Sequence, residues 1–229
     1  RDGRGHPQYV YQFPEVFVGR ITVYNSQEVQ NWVTKVLNYE KTPGILFDKA
    51  LWIYSTIVGT GSAPSVFPAH FTHIYAQDYW ADAALTLLSQ GNGIVNINCH
   101  GNAGDYRIKH NPNANHWSWL SQPPNQNDAG LNWLTNSNKY FIGYAISCYV
   151  GAYDSLAHPI YYEHGTDTCI ADAYVDAYLY NQQGSIGPFG ASAFLANTRN
   201  GLWEGGGPSY DLQYAFWNHV MNDWWVGSG

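Results

Sequence analysis

GIVNINCHG, residues 93–101, is the stretch on which the fold turns. Its first part is short, apolar and rich in β-branched residues, and it follows Gly91 closely. A run of that length without alternation reads as a strand covered on both faces, the kind a parallel sheet carries. The run then breaks into His100-Gly101 and a polar segment. A second run, FIGYAIS at 141–147, ends directly at Cys148, and a third, ALWIYSTI at 50–57, leads into a Gly/Ser/Pro-rich link. Residues 14–18 (PEVFV) and 71–76 read as further strands.

Helical patterns lie between these runs. Over 26–40, Val29, Trp32, Val33, Val36 and Leu37 recur at helical spacing on one expected inner face. Asn25 and Glu28 suit a capping box, and Pro43-Gly44 ends the helix. Asp78 is expected to cap a helix over 79–90, with Ala83, Ala84, Leu87 and Leu88 inward and Gly91 as its stop. Residues 102–130 read as a long polar loop rich in Asn, Pro and Trp, followed by a short helix near 131–137. Downstream come a helix at 169–182, a strand at 184–192 bent or edged by Pro188, and an amphipathic helix at 209–225. Strands alternating with helices imply right-handed crossovers and an α/β fold, a mostly parallel sheet with helices on both faces. The expected organisation is a single domain over 1–229, with 1–13 as an N-terminal extension and 102–130 and 197–209 as loops rimming a site.

Composition narrows the function. The chain of 229 residues is 45% hydrophobic and 12% charged, against about 25% charged in an ordinary domain. Aromatic residues make up 17%, which excludes disorder. A net charge of −7 argues against nucleic acid as the main partner. No stretch approaches the roughly 18 apolar residues of a membrane span. Sparse charge fits a secreted or cell-surface protein, or one with much of its surface against another domain or copy. RDGRGHPQY, residues 1–9, has no apolar leader core and reads as a mature or excised end. Three cysteines, Cys99, Cys148 and Cys169, leave at least one free thiol.

In parallel α/β sheets, sites lie beyond the carboxyl ends of the strands. One such end delivers His100 and another Cys148, 48 residues on, close to the His-before-Cys spacing of caspases. A thiol needs a base or a lowered pKa to become a thiolate, and an imidazole in a polar mouth supplies either. Gly101 lets the backbone approach a carbonyl closely, so its N–H and that of Cys148 suit an oxyanion hole. The same pair also reads as a core thiol beside a loop histidine. Cys99 points into the core by strand alternation, and a Cys99–Cys148 disulfide requires the two strand ends side by side. Cys169 reads as core. Asp105 orients His100, binds a basic substrate group or stays solvated, the last being preferred. His110, His116, His158 and His164 lack the paired spacing of a zinc site and read as surface residues.

The chain resembles the gingipain family of cysteine peptidases, which share the fold of caspases. The resemblance is carried by PEVFVGRITVYNSQEVQNWVTKVLNYEKTP (14–43), GIVNINCHGNAGDY (93–106), LTNSNKYFIGYAISCYVGAYD (134–154), and TCIADAYVDA (168–177) followed by GSIGPFGAS (184–192). It implies a caspase-like three-layer sandwich and a secreted cysteine endopeptidase acting on protein or peptide substrates, with basic residues as the expected preference. By residue-by-residue carry-over, His100 is the catalytic imidazole and Cys148 the nucleophile, with Trp203 as a pocket wall and Glu204 as a candidate charge. No cofactor is required. Calcium, as a structural ion, would fall to Asp128, Asp154 and Asp167.

The chain also departs from that pattern. Cys99 stands where the family has Gly, and Ile57 or Val58 stands where some members carry an acid. SAPSVFPAH (62–70) replaces the helix that bears the pocket acid in arginine-specific members. The family's upstream subdomain and C-terminal tail have no counterpart, so a fragment, a processed form or a reduced relative is expected. These departures support an alternative: an inactive gingipain-like domain serving as a structural, self-assembling extracellular protein, in contact with further copies or flanking domains. Exposed Trp and Tyr suggest a third reading, a carbohydrate-binding surface.

Overall fold

In a computed structural model of the chain, described over residues 26–41, 48–102, 105–111, 116–121, 129–130, 134–136, 139–148, 191–196 and 208–224, the apolar run becomes the centre of a sheet. Five parallel strands form it: β1 (Lys49–Tyr54), β2 (Thr72–Gln77), β3 (Ile94–Asn98), β8 (Phe141–Ile146) and β9 (Ala191–Ala196). Their spatial order is β2-β1-β3-β8-β9. Helix α1 (Ser26–Lys41) precedes the sheet, α2 (Ala81–Gln90) joins β2 to β3, and α3 (Pro208–His219) closes the chain, running on into a π-helical turn at Val220–Trp224. The chain leaving β1 runs outward to β2, while β3 is followed in the opposite direction by β8. Such a reversal lies beyond the carboxyl ends of β1 and β3, the place where open α/β sheets bind ligands.

Pleating sorts the strand residues into two cores. Leu51, Ile53, Val95, Ile97 and Ala145 face α2 together with Ala84 and Leu88. Ala50, Trp52, Ile94, Tyr144 and Ile146 face Trp217 and Met221 at the C-terminal helix. All of these are buried, and each large aliphatic side chain contributes about 1.5–3 kcal/mol by leaving water. The α2 helix stops at Gly91, whose φ of 90° suits glycine, and Asn92 Nδ2 donates to the Leu87 carbonyl at 3.0 Å.

Several expectations need correction. Part of the 102–130 loop is a second, four-stranded sheet of β4 (His100–Asn102), β5 (Asp105–Asn111), β6 (His116–Ser121) and β7 (Ala129–Gly130). Tyr106 and Ile108 are buried while Arg107 and Lys109 are half-buried, an alternation that the Asn/Pro-rich surroundings obscure. His110 and His116 are therefore strand residues. Helix α2 begins at Ala81 after Trp80, with no side-chain cap, and Asp78 adopts left-handed backbone (φ 51°). The strand from residue 50 ends at Tyr54, and Ile57 is 63% exposed. On α1 the covered face is rotated from the expected one: Val29, Val33 and Leu37 are exposed, Trp32 and Val36 are half-buried, and Lys35 is fully buried. Residues 134–136 are not helical. Of the strand expected at 184–192, residues 191–192 open β9 (Ala191–Ala196), and 184–190 lie outside the described residues. The strand expected at 14–18 and the helix at 169–182 lie outside the described residues.

Candidate active site

Strands β3 and β8 run in register, Ile94 against Ile142 through Asn98 against Ile146. The ladder continues one step further, where the Cys99 N–H donates to the Ile146 carbonyl at 3.1 Å. Cys99 Sγ then lies 3.4 Å from Ser147 Oγ, both buried on the α2 side. His100 and Cys148 are the next residues out, each two beyond the paired Asn98 and Ile146. Neighbouring strands lie about 4.8 Å apart, so equal offsets from one paired position keep the two chains adjacent. His100 is exposed and Cys148 half-buried, which puts both within reach of water. Cys99 and Cys148 are not joined to each other, so the considered disulfide between them is not formed. The sequence reading of Cys99 as a core residue agrees with its complete burial.

The small four-stranded sheet begins at the histidine. His100 pairs with Arg107, Gly101 with Tyr106, and Asn102 with Asp105. Partial desolvation, reinforced by the Arg107 guanidinium across the ladder, holds the His100 pKa below its ordinary value. A proton on the ring is disfavoured by both causes, so the imidazole is held in its proton-accepting form. Beside it, the end of β1 folds into a turn. The Ser55 carbonyl accepts from the N–H groups of Val58 (3.1 Å) and Gly59 (2.8 Å). Asp78 reaches this rim from β2, its carboxylate accepting from the Thr56 N–H at 2.9 Å and from the Thr56 hydroxyl.

The model of peptidase family C25 matches residues 2–228. The chain belongs to peptidase family C25. Among solved structures this C25 chain is similar to the complex of Porphyromonas gingivalis RgpB pro- and mature domains, with a TM-score of 0.58 and 16% identity over 90% of this chain and 46% of that one. It is similar too to the Arg-specific cysteine proteinase gingipain R (RgpB), with a TM-score of 0.57 and 16% identity over 90% of this chain and 44% of that one. The chain thus spans less than half the length of these structures, and the likeness carries the α/β fold with its mostly parallel sheet. No curated protein matches the chain.

Where an acid was sought at Ile57 or Val58, the C25 chain has a turn, and the nearby carboxylate is that of Asp78. Sequence reading missed it as a rim residue because its partner Thr56 is 22 positions away. Arg107 was missed too, although the alternation of 105–109 could have placed it on a hairpin opposite His100. Asp105 stands at the turn of that hairpin, paired with Asn102. Trp203, Glu204, Cys169, Asp128, Asp154, Asp167, His158 and His164 lie outside the described residues. Among the described residues no group of three His, Cys, Asp or Glu side chains is placed to hold a metal ion, and no helix is long and apolar enough to cross a membrane.

Proposed function

We propose that this C25 chain is the catalytic unit of an exported cysteine endopeptidase working through Cys148 and His100. The observation that supports it best is the shared register: parallel strands in contact lead to an imidazole and a thiol at equal offsets, at the carboxyl edge of the sheet. Strand alternation returns both residues to the face of Asn98 and Ile146, opposite to Cys99 and Ser147.

Chemistry follows from these groups. His100 takes the Cys148 proton as the sulfur attacks the scissile carbonyl carbon. The N–H groups of Gly101 and Cys148 receive the developing oxyanion. Collapse breaks the C–N bond, and His100 hands the proton to the leaving amine. His100 then takes a proton from water as the hydroxyl attacks the thioester, which releases the acid and restores the thiol. A neutral resting imidazole suits this order of events, because it must first accept a proton. The negative net charge, Glu204 and Asp105 support a basic side chain at the cleaved position, as does the similarity to an Arg-specific proteinase.

The test is peptide cleavage by the wild type, Cys148→Ala and His100→Ala, with Arg, Lys and neutral residues at the cleaved position. Each variant should lose kcat by several orders of magnitude while remaining folded. Cleavage that persists in Cys148→Ala removes the assignment, and equal rates on neutral peptides remove the basic preference.

A further inference from the structure

Two asparagines sit inside the central strand of the sheet. Asn96 and Asn98 are buried, and both point to the α3 face. Buried amides in a parallel strand cost desolvation that Val or Ile would avoid, so they call for a reason. Their partner comes from the far end of the chain. Gln213 on α3 is wholly buried, and its Nε2 donates to Asn96 Oδ1 at 2.8 Å and to Asn98 Oδ1 at 2.9 Å. Trp217, one helical turn on, donates its indole N–H to Asn96 Oδ1 at 3.0 Å. Asn96 Nδ2 donates to Asn98 Oδ1 at 2.8 Å, and Asn98 Nδ2 to the Gly59 carbonyl at 3.0 Å.

This cluster has a definite place. Asn98 is the last paired residue of β3, opposite Ile146 and two residues before His100. Gly59 closes the turn that follows β1, on the other side of β3 from Cys148. Tyr210, also on α3, donates its hydroxyl to the Val58 carbonyl in the same turn. Helix α3 therefore grips the end of the histidine-bearing strand and the adjoining turn together. A nonpolar contact would let these pieces slide against one another, whereas directional bonds hold one setting.

We propose that Gln213 is a positioning residue for His100, acting through Asn98 to fix the end of β3 against the β1 turn and α3. The proposal rests on the reading of His100 and Cys148 as the working pair.

The Gln213→Met substitution isolates this role. Without Gln213, Asn96 Oδ1 keeps Trp217, Asn96 Nδ2 keeps Asn98, and Asn98 Nδ2 keeps the Gly59 carbonyl, so neither asparagine is orphaned. The thermal midpoint should move by only a few degrees. A positioning role then shows as a kcat lowered roughly tenfold or more with KM within about twofold, since small misplacements are costly at a reacting centre. Alkylation of Cys148 by iodoacetamide should slow in parallel. A folded Gln213→Met protein with wild-type kcat and alkylation overturns the proposal. Should that variant melt below the assay temperature, Gln213→Asn keeps an amide in place and must show the same selective loss in kcat. Wild-type Cys148 alkylating no faster than an ordinary thiol removes the pair itself and this role with it. Fast wild-type alkylation left unchanged in the variants removes the Gln213 role alone.

Discussion

Trp52 is fully buried in the inner strand β1, and its indole N–H donates to His73 Nδ1 on β2 at 2.9 Å. The acceptor role of Nδ1 assigns the ring proton to Nε2. The two rings also stack, 6.0 Å between centroids. Replacing His73 with Leu leaves a buried donor unpaired, a loss of about 1–3 kcal/mol. The His73 ring is only half-buried, so the lower part of that range, about 1–2 kcal/mol, is expected. For a chain of this size that is a fall of roughly 2–8 °C in Tm. Burial also holds the His73 pKa below its ordinary value. As pH drops below about 6.5, unfolded chains take up a proton that folded His73 resists, and stability declines until the folded ring titrates as well. His73→Asn offers an amide oxygen to Trp52 and has nothing to titrate. It should therefore flatten the acid decline while matching the wild type more closely than Leu at neutral pH. Thermal and urea unfolding at pH 7.5 and 5.5 decides the matter. A His73→Leu protein as stable as the wild type at pH 7.5 refutes the hydrogen-bond argument. Equal acid slopes in the wild type and His73→Asn refute the titration argument.

Other substitutions test the remaining parts. Arg107→Gln removes one cause of the depressed His100 pKa, so the acid limb of the pH–kcat/KM profile should move to higher pH; an unmoved limb refutes the coupling. Leu88→Ala opens a cavity where α2 meets the sheet and should cost about 2–5 kcal/mol in urea unfolding. Gly59→Ala meets no atom within 4 Å, yet Gly59 has a φ of 72°, so about 1–2 kcal/mol of backbone strain should appear in the same assay.

Much of the sheet was legible because its central strands are buried runs too short for helices. The strands at Ile94–Asn98 and Phe141–Ile146 sit within the stretches read at 93–99 and 141–147. The hairpin beyond His100 was not, because counting Asn and Pro over a long window hides a five-residue alternation at 105–109. The buried face of α1 was misread for a different reason. Hydropathy treats Lys35 as polar, whereas its long aliphatic stem packs well, and burial pushes its pKa down in consequence. Tyr39 on that helix similarly needs its hydroxyl bond to the Gly93 carbonyl, 54 residues away, before its place makes sense. Local spacing singled out His100 and Cys148, since each stands just past a run that reads as a strand. It could not reveal the Asn96–Asn98–Gln213 cluster, whose members are 115 and 117 positions apart and meet only through the tertiary fold.

The pleat that separates Cys99 from Cys148 has a chemical consequence of its own. Cys99 is paired across the ladder with Ser147, not with the other sulfur, and is sealed beneath the sheet. An oxidant arriving from solvent meets Cys148 on the other side of the pleat from Cys99, so Cys99 is not placed to capture the sulfenic acid. Self-crosslinking would require β3 to shift by one position against β8, which would turn every side chain of that strand inside out. The weave of the sheet thus insulates these two sulfurs from each other, so that oxidation of one leaves the other untouched.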